Sequence, residues 1–222
     1  MYGKIQTAVL YSFLQLCKSF SVNHFCYARH AIVCAVGKEL PLDYFEKRVD
    51  GEVKYKGVIV NVRLDRAELV NGALVRREVV EHPGGVTILP IDDEGNCWLV
   101  RQFRYPFQKS ILEAPAGKLE PGEAHRLSAE RELSEETGFT ADTFLYLGPS
   151  FVSPGISTEV LHIYLALGLH AGESHPDENE FLNAEKFKLD DVVDMVMRGE
   201  IEDGKTIVAV LKADKLRREH KI

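Results

Sequence analysis

The stretch from Gly117 to Phe139, GKLEPGEAHRLSAERELSEETGF, constrains this chain most, because it crowds acids onto one helical face. Glu132 and Glu136 are four residues apart and Glu135 lies three beyond Glu132, so three carboxylates share about one turn. Like charges at that spacing weaken an isolated helix by roughly a few tenths of a kcal/mol per pair. The helix is expected over 123–137, closed by Gly138 in the left-handed conformation that ends helices. Leu119, Leu127 and Leu133 supply apolar positions for a packed face. Arg131 is expected to project to another side, where it can pair with Glu123 and hold the preceding loop to the helix. A hard divalent cation would offset the repulsion, since Mg2+ takes oxygen ligands and shares its shell with substrate phosphates. A solvated acidic face is the alternative the acids alone leave open.

Around this helix the pattern is mixed. Val53, Tyr55, Val58, Val60 and Val62 include period-two β-branched positions and suggest strands, with a bend or bulge at Gly57, and Asn71-Gly72 marks a hairpin between 67–70 and 73–81. His82-Pro83-Gly84-Gly85 punctuates the chain and sets the expected domain boundary. Strands follow near 86–91, 97–103, 144–152, 158–168 and 181–187, and helices near 190–198 and 205–217. The alternation implies an α/β sandwich, a mixed sheet with helices on both faces, preceded by a small antiparallel β domain. The expected division is an extension at 1–44, the β domain at 45–82 and the main domain at 83–222.

Charge narrows the function. A net charge of −7 over 222 residues leaves no basic footprint for nucleic acid, and no apolar run is long enough to span a bilayer. An acidic protein that handles a phosphate ester needs local positive charge, which metal ions commonly provide. The first 38 residues carry Lys4, Lys18, Arg29 and Lys38 and no acid. Their apolar run at 8–16 resembles a targeting segment but lacks a clean cleavage site, so a cytoplasmic protein is expected, with targeting left open. Cys17, Cys26, Cys34 and Cys97 match no metal-binding spacing and are expected to be reduced.

The Gly117–Phe139 stretch matches Gly-x5-Glu-x7-Arg-Glu-U-x-Glu-Glu-x-Gly-U, with U apolar, at every defined position. It therefore resembles the Nudix box. That resemblance implies a Nudix-type α/β/α sandwich binding one to three Mg2+ or Mn2+ ions and hydrolysing a nucleoside diphosphate linked to another moiety. By the same resemblance Glu132 and Glu136 are the principal metal ligands, Glu135 serves a further ion or the catalytic step, and the Ala116 carbonyl adds an oxygen. Gly117, Glu123, Arg131 and Gly138 look structural.

Features outside the box choose a substrate. Arg76–Gly84, Arg101-Gln102-Phe103-Arg104-Tyr105-Pro106, Ser153-Pro154-Gly155 and the loop Asp177-Glu178-Asn179-Glu180-Phe181 resemble the ADP-ribose pyrophosphatase branch, over roughly residues 50–215. The resemblance makes Arg77, Arg104, Glu113 and Pro154 candidate substrate contacts. It makes Glu178 the candidate general base on a closing loop, with Glu180 as the alternative. The expected reaction is hydrolysis of ADP-ribose to AMP and ribose 5-phosphate, in a homodimer that exchanges the small β domain. A Nudix enzyme of GDP-mannose or other nucleotide sugars is the rival, and a non-catalytic Nudix-fold sensor the remote one.

Overall fold

The continuous apolar run Gly85–Ile91 forms a strand buried at every residue, the mark of a strand covered on both faces. In the computed structural model, which describes residues 44–175 and 181–222, this strand lies mid-sheet. The strands are β1 (Lys47–Lys56), β2 (Asn61–Glu68), β3 (Leu74–Glu81), β4 (Gly85–Ile91), β5 (Asn96–Arg104), β6 (Lys109–Glu113), β7 (Ala116–Lys118), β8 (Phe139–Phe151), β9 (Val160–Ala171) and β10 (Leu182–Lys188). The helices are α1 (His125–Thr137), α2 (Leu189–Met197) and α3 (Gly204–Arg218). The expected extension, Tyr44 apart, and its cysteines at 17, 26 and 34 lie outside the described residues, as do Glu178 and Glu180.

The main sheet has the order β10-β5-β4-β9-β8, with β6 added to β5 and β7 to β4. β4 and β9 run parallel, Gly85 opposite Leu161 through Ile91 opposite Leu167, while β8 pairs antiparallel with β9. Side chains alternate across this sheet. Leu89, Ile91, Leu99, Ile163 and Leu165 pack with Val192 of α2 and Ala209, Val210 and Ala213 of α3. Val86, Ile88, Tyr164 and Ala166 pack on the opposite face with Ala129 and Leu133 of α1. The expected α/β sandwich with a mixed sheet is the observed fold. Cys97 is a free thiol on the first of these faces, and burial pushes its pKa up to about 12, which makes it inert packing. Among the described residues no helix is long and apolar enough to cross a membrane.

The chain groups into two compact units, 1–47 with 68–74 and 48–67 with 75–222. In the first, the described hairpin turn is closed by Leu69 N–H to the Ala73 carbonyl and by Gly72 N–H to the Leu69 carbonyl, with Gly72 at φ 80° as Asn71-Gly72 implied. In the second, β1, β2 and β3 lie in that order in a three-stranded sheet, and the expected break at Gly57 separates β1 from β2.

Three expectations shift. The box helix begins at His125 rather than 123, because Glu123 is occupied in the loop, where its carboxylate accepts the Glu120 N–H at 3.1 Å. Leu127 is exposed rather than packed, so Leu133 carries that face, with Leu119 partly buried beside it. β8 starts five residues before 144, since it pairs along the whole of β9. Gly138 does cap α1, at φ 74°, and a Cβ there would meet the Gly172 oxygen and Ser174 nitrogen at 2.8 Å. Gly138→Ala should therefore cost about 2 kcal/mol, read as a lowered denaturation midpoint. An unchanged midpoint would count against this account of the helix end.

Candidate active site

The loop before α1 and the helix itself are joined by close approach of carboxylate to backbone. A Cβ on Gly117 would lie 1.8 Å from Glu132 Oε1, so only glycine lets that buried carboxylate rest against the loop. One residue earlier, Ala116 N–H donates to Oε2 of buried Glu136 at 3.0 Å. Arg131 ties the rest. Its Nε and Nη2 donate to Glu123 at 3.0 and 3.1 Å, and Nη2 reaches the Lys118 carbonyl at 3.3 Å. Its Nη1 donates to Glu132 at 2.8 Å and to Glu135 at 2.9 Å.

The last contacts correct the expectation that Arg131 turns away from the acidic face. Its guanidinium is long enough to return to that face, and it offsets part of the repulsion that the sequence alone attributed to a cation. The hydrogen bond from Arg131 holds the Glu123 carboxyl down at about 2, and the same pair, with Glu132 and Glu135, raises Arg131 further above its ordinary range. Among the described residues no group of three or more His, Cys, Asp or Glu side chains converges on one metal-sized space. Glu132, Glu135 and Glu136 are nevertheless hard oxygen donors on one helix, with the Glu132 carboxylate lying where a Cβ at 117 would stand. In chemistry they fit a divalent cation.

A second cluster adjoins the first. Glu113, at the end of β6, is 1% exposed and accepts Arg104 Nε at 2.7 Å and Nη2 at 2.9 Å. Lys205 in the first turn of α3 also donates to Glu113, and to Asp203 at 3.0 Å. Burial works against the charge on Arg104, but Glu113, with Glu136 and Asp203 nearby, outweighs it and raises the arginine pKa. Thr206 Oγ1 accepts the Ala114 N–H at 2.7 Å, so the start of α3 holds the residues leading to Ala116. The sequence reading missed Asp203, Lys205 and Thr206. The one available signal was Asp203 as an N-cap, whose side chain accepts the Thr206 N–H.

The remaining candidates lie elsewhere. Arg77 is on β3, its Nη1 donating to the Arg76 carbonyl at 3.0 Å. Pro154 stands in a turn where Ile156 and Ser157 N–H groups bond the Ser153 carbonyl. That turn is joined to β3: Val80 N–H donates to the Ile156 carbonyl at 2.7 Å and Thr158 N–H to the Val80 carbonyl at 2.9 Å.

A glutamate-bearing loop and helix on one face of a mixed sheet, closed by an arginine, define a carboxylate centre suited to a cation and a phosphate ester. The NUDIX domain family matches residues 81–210, and the chain belongs to the Nudix family. It is 39% identical to an ADP-ribose pyrophosphatase of Bacillus subtilis (strain 168) over 167 residues, covering 74% of this chain and 90% of that one. A methanol dehydrogenase activator of Bacillus methanolicus is 40% identical with the same coverage. A GDP-mannose pyrophosphatase of Yersinia pestis (strain Pestoides F) is 33% identical over 60% of this chain and 71% of its own length. The solved structure of an ADP compounds hydrolase shares the fold with a TM-score of 0.70 at 23% identity, covering 80% of this chain and 97% of that one.

The Glu123–Arg131 pair predicts a pH dependence. Its folded pKa of about 2 lies below the ordinary 4.5, so its stabilisation is complete above 4.5 and is lost as pH falls toward 2. Glu123→Gln should be less stable at neutral pH, and its deficit relative to the unsubstituted chain should shrink through that window. A deficit independent of pH would show that the pair does not act through charge.

Proposed function

We propose that this Nudix enzyme hydrolyses the diphosphate of ADP-ribose, giving AMP and ribose 5-phosphate, with Mg2+ or Mn2+ held by Glu132, Glu135, Glu136 and the Ala116 carbonyl. The observation that carries the reading is the approach of Glu132 and Glu136 to the Gly117 loop, in a box with every carboxylate present. Ala116 also supports it. In extended backbone the N–H and C=O of one residue point to the same edge, and the Ala116 N–H points at Glu136, which puts its carbonyl on the carboxylate side. Nudix enzymes use divalent cations, and a bound cation neutralises bridging phosphates and lowers the pKa of an attacking water.

The chain's own residues do the rest. Arg104 keeps Nη1 for a phosphate oxygen, because its other two nitrogens are taken by Glu113. Arg77 and Pro154, on segments joined at Val80, frame the nucleoside side of the substrate. Glu178 takes the proton of the water that adds to phosphorus, with Glu180 as the alternative, while the P–O bond to the leaving phosphate breaks. ADP-ribose is favoured over GDP-mannose by the higher identity and wider coverage of the ADP-ribose pyrophosphatase relatives, 39% and 36% against 33%. A homodimer is part of the proposal, supported by Val49, Val53 and Tyr55, large apolar side chains of β1 that one chain leaves exposed.

Incubation with ADP-ribose and Mg2+ should yield AMP and ribose 5-phosphate, chelation should stop it, and Glu136→Gln should lower kcat at least about 100-fold. Preferential cleavage of GDP-mannose in the same panel would overturn the substrate, and full activity in Glu136→Gln would overturn the metal site. Sedimentation at micromolar concentration should give twice the mass of one chain; a single-chain mass would rule out the dimer.

A further inference from the structure

Glu113 is one buried carboxylate shared by two cations, Arg104 from the neighbouring strand and Lys205 from 92 residues further along the chain. Arg104 takes both of its oxygens through Nε and Nη2, a planar fork that fixes the guanidinium plane and leaves Nη1 without a partner among the described residues. That plane is only as fixed as Glu113 itself. Glu113 ends a short strand, and Lys205, itself held by Asp203, is its second anchor. Glu136 also favours the charge on Arg104, so the two clusters are electrically coupled.

We infer that Lys205 is a positioning residue, which holds Glu113 so that Arg104 presents Nη1 to a diphosphate, and thereby sets how tightly substrate is taken. The inference rests on the phosphate contact proposed for Arg104. A purely mechanical role would be to tie α3 to β6. The protein already has such a tie on its surface, between exposed Lys109 of β6 and exposed Glu202 just before α3; Lys109 faces Arg104 across the β5–β6 backbone pairing, which Lys109→Ala keeps, while its ammonium bonds Glu202 and not Glu113. The two roles can therefore be separated by mutation.

The test is steady-state kinetics of the full chain with ADP-ribose and Mg2+. Lys205→Met should raise KM about tenfold while kcat changes less than about threefold, the signature of lost ground-state binding. Lys205→Gln, which keeps a donor to Glu113 without its charge, should fall between Met and the unsubstituted enzyme and serves if the Met variant does not fold. Lys205→Arg should recover most of the affinity. In an Arg104→Gln background Lys205→Met should add nothing further to KM, because the lysine acts only through that arginine. Lys109→Ala should keep the unsubstituted KM. The positioning role is overturned by an unsubstituted KM in both Lys205→Met and Lys205→Gln, by effects of Arg104→Gln and Lys205→Met that multiply in full, or by an equal rise in Lys109→Ala. An unsubstituted KM in Arg104→Gln would instead overturn the phosphate contact, and the inference with it.

Discussion

Arg131 directs its donors into a single cluster: Glu123 and the Lys118 carbonyl on the loop, Glu132 and Glu135 on the helix. Without that cation, the acids of the loop that supplies Gly117 and of the helix that supplies Glu132 would lose their shared counter-charge, leaving the Ala116 N–H to Glu136 bond and the packing of Leu119 to join the two. With it, Glu132 can rest against the Gly117 backbone, Glu136 can receive the Ala116 N–H, and α1 is fixed against β4 and β7. The helix owes little to its own propensity. It begins without a side-chain cap and carries repelling acids, so the Leu133 and Ala129 face and the arginine keep it in place.

The same economy of cations recurs at Glu113. Two neighbouring buried or half-buried acid clusters each borrow positive charge from a residue outside the acidic helix face proper. Arg131 bridges loop and helix, and Lys205 reaches back from the last helix. Both arrangements place a fixed counter-charge beside carboxylates that would otherwise be costly to bury. Arg104 then stands between the clusters, bonded to Glu113 and near Glu136.

Much of this was legible in the sequence, for identifiable reasons. The β4 run has no polar residue facing either side except Thr87, which reads as a strand between two helical layers, and Gly138 announced the end of α1. The box spacing puts Glu132, Glu135 and Glu136 within about one turn of α1 because helical geometry is periodic. The start of α1 was misread because the pairing expected between Glu123 and Arg131 does not reveal that the Glu123 carboxylate also accepts the Glu120 N–H, which keeps residue 123 in the loop. The first part of β8 was missed because Thr140, Asp142 and Thr143 hide a strand with no fully buried residue. The Lys205–Glu113 pair was invisible, since the partners are 92 residues apart and Lys205 belongs to no recognisable local pattern. The direction of Arg131 failed for a related reason: helix geometry fixes where a Cβ points, whereas a long flexible side chain chooses its partners from the tertiary surroundings.

The join at Val80 has a consequence for how such an enzyme can change over time. Val80 gives both its N–H and its carbonyl to the Ile156–Thr158 segment, and His82 N–H adds a bond to Thr158 Oγ1 at 3.0 Å. The end of β3 and the turn that carries Pro154 are thus one splice, although more than seventy residues separate them. A residue inserted in the short connection after β3 would slip this pairing, and the turn would lose its register as surely as if it had been altered directly. Exchange of the Pro154 turn between relatives should therefore succeed only when the end of β3 travels with it, the two distant segments behaving as a single cassette.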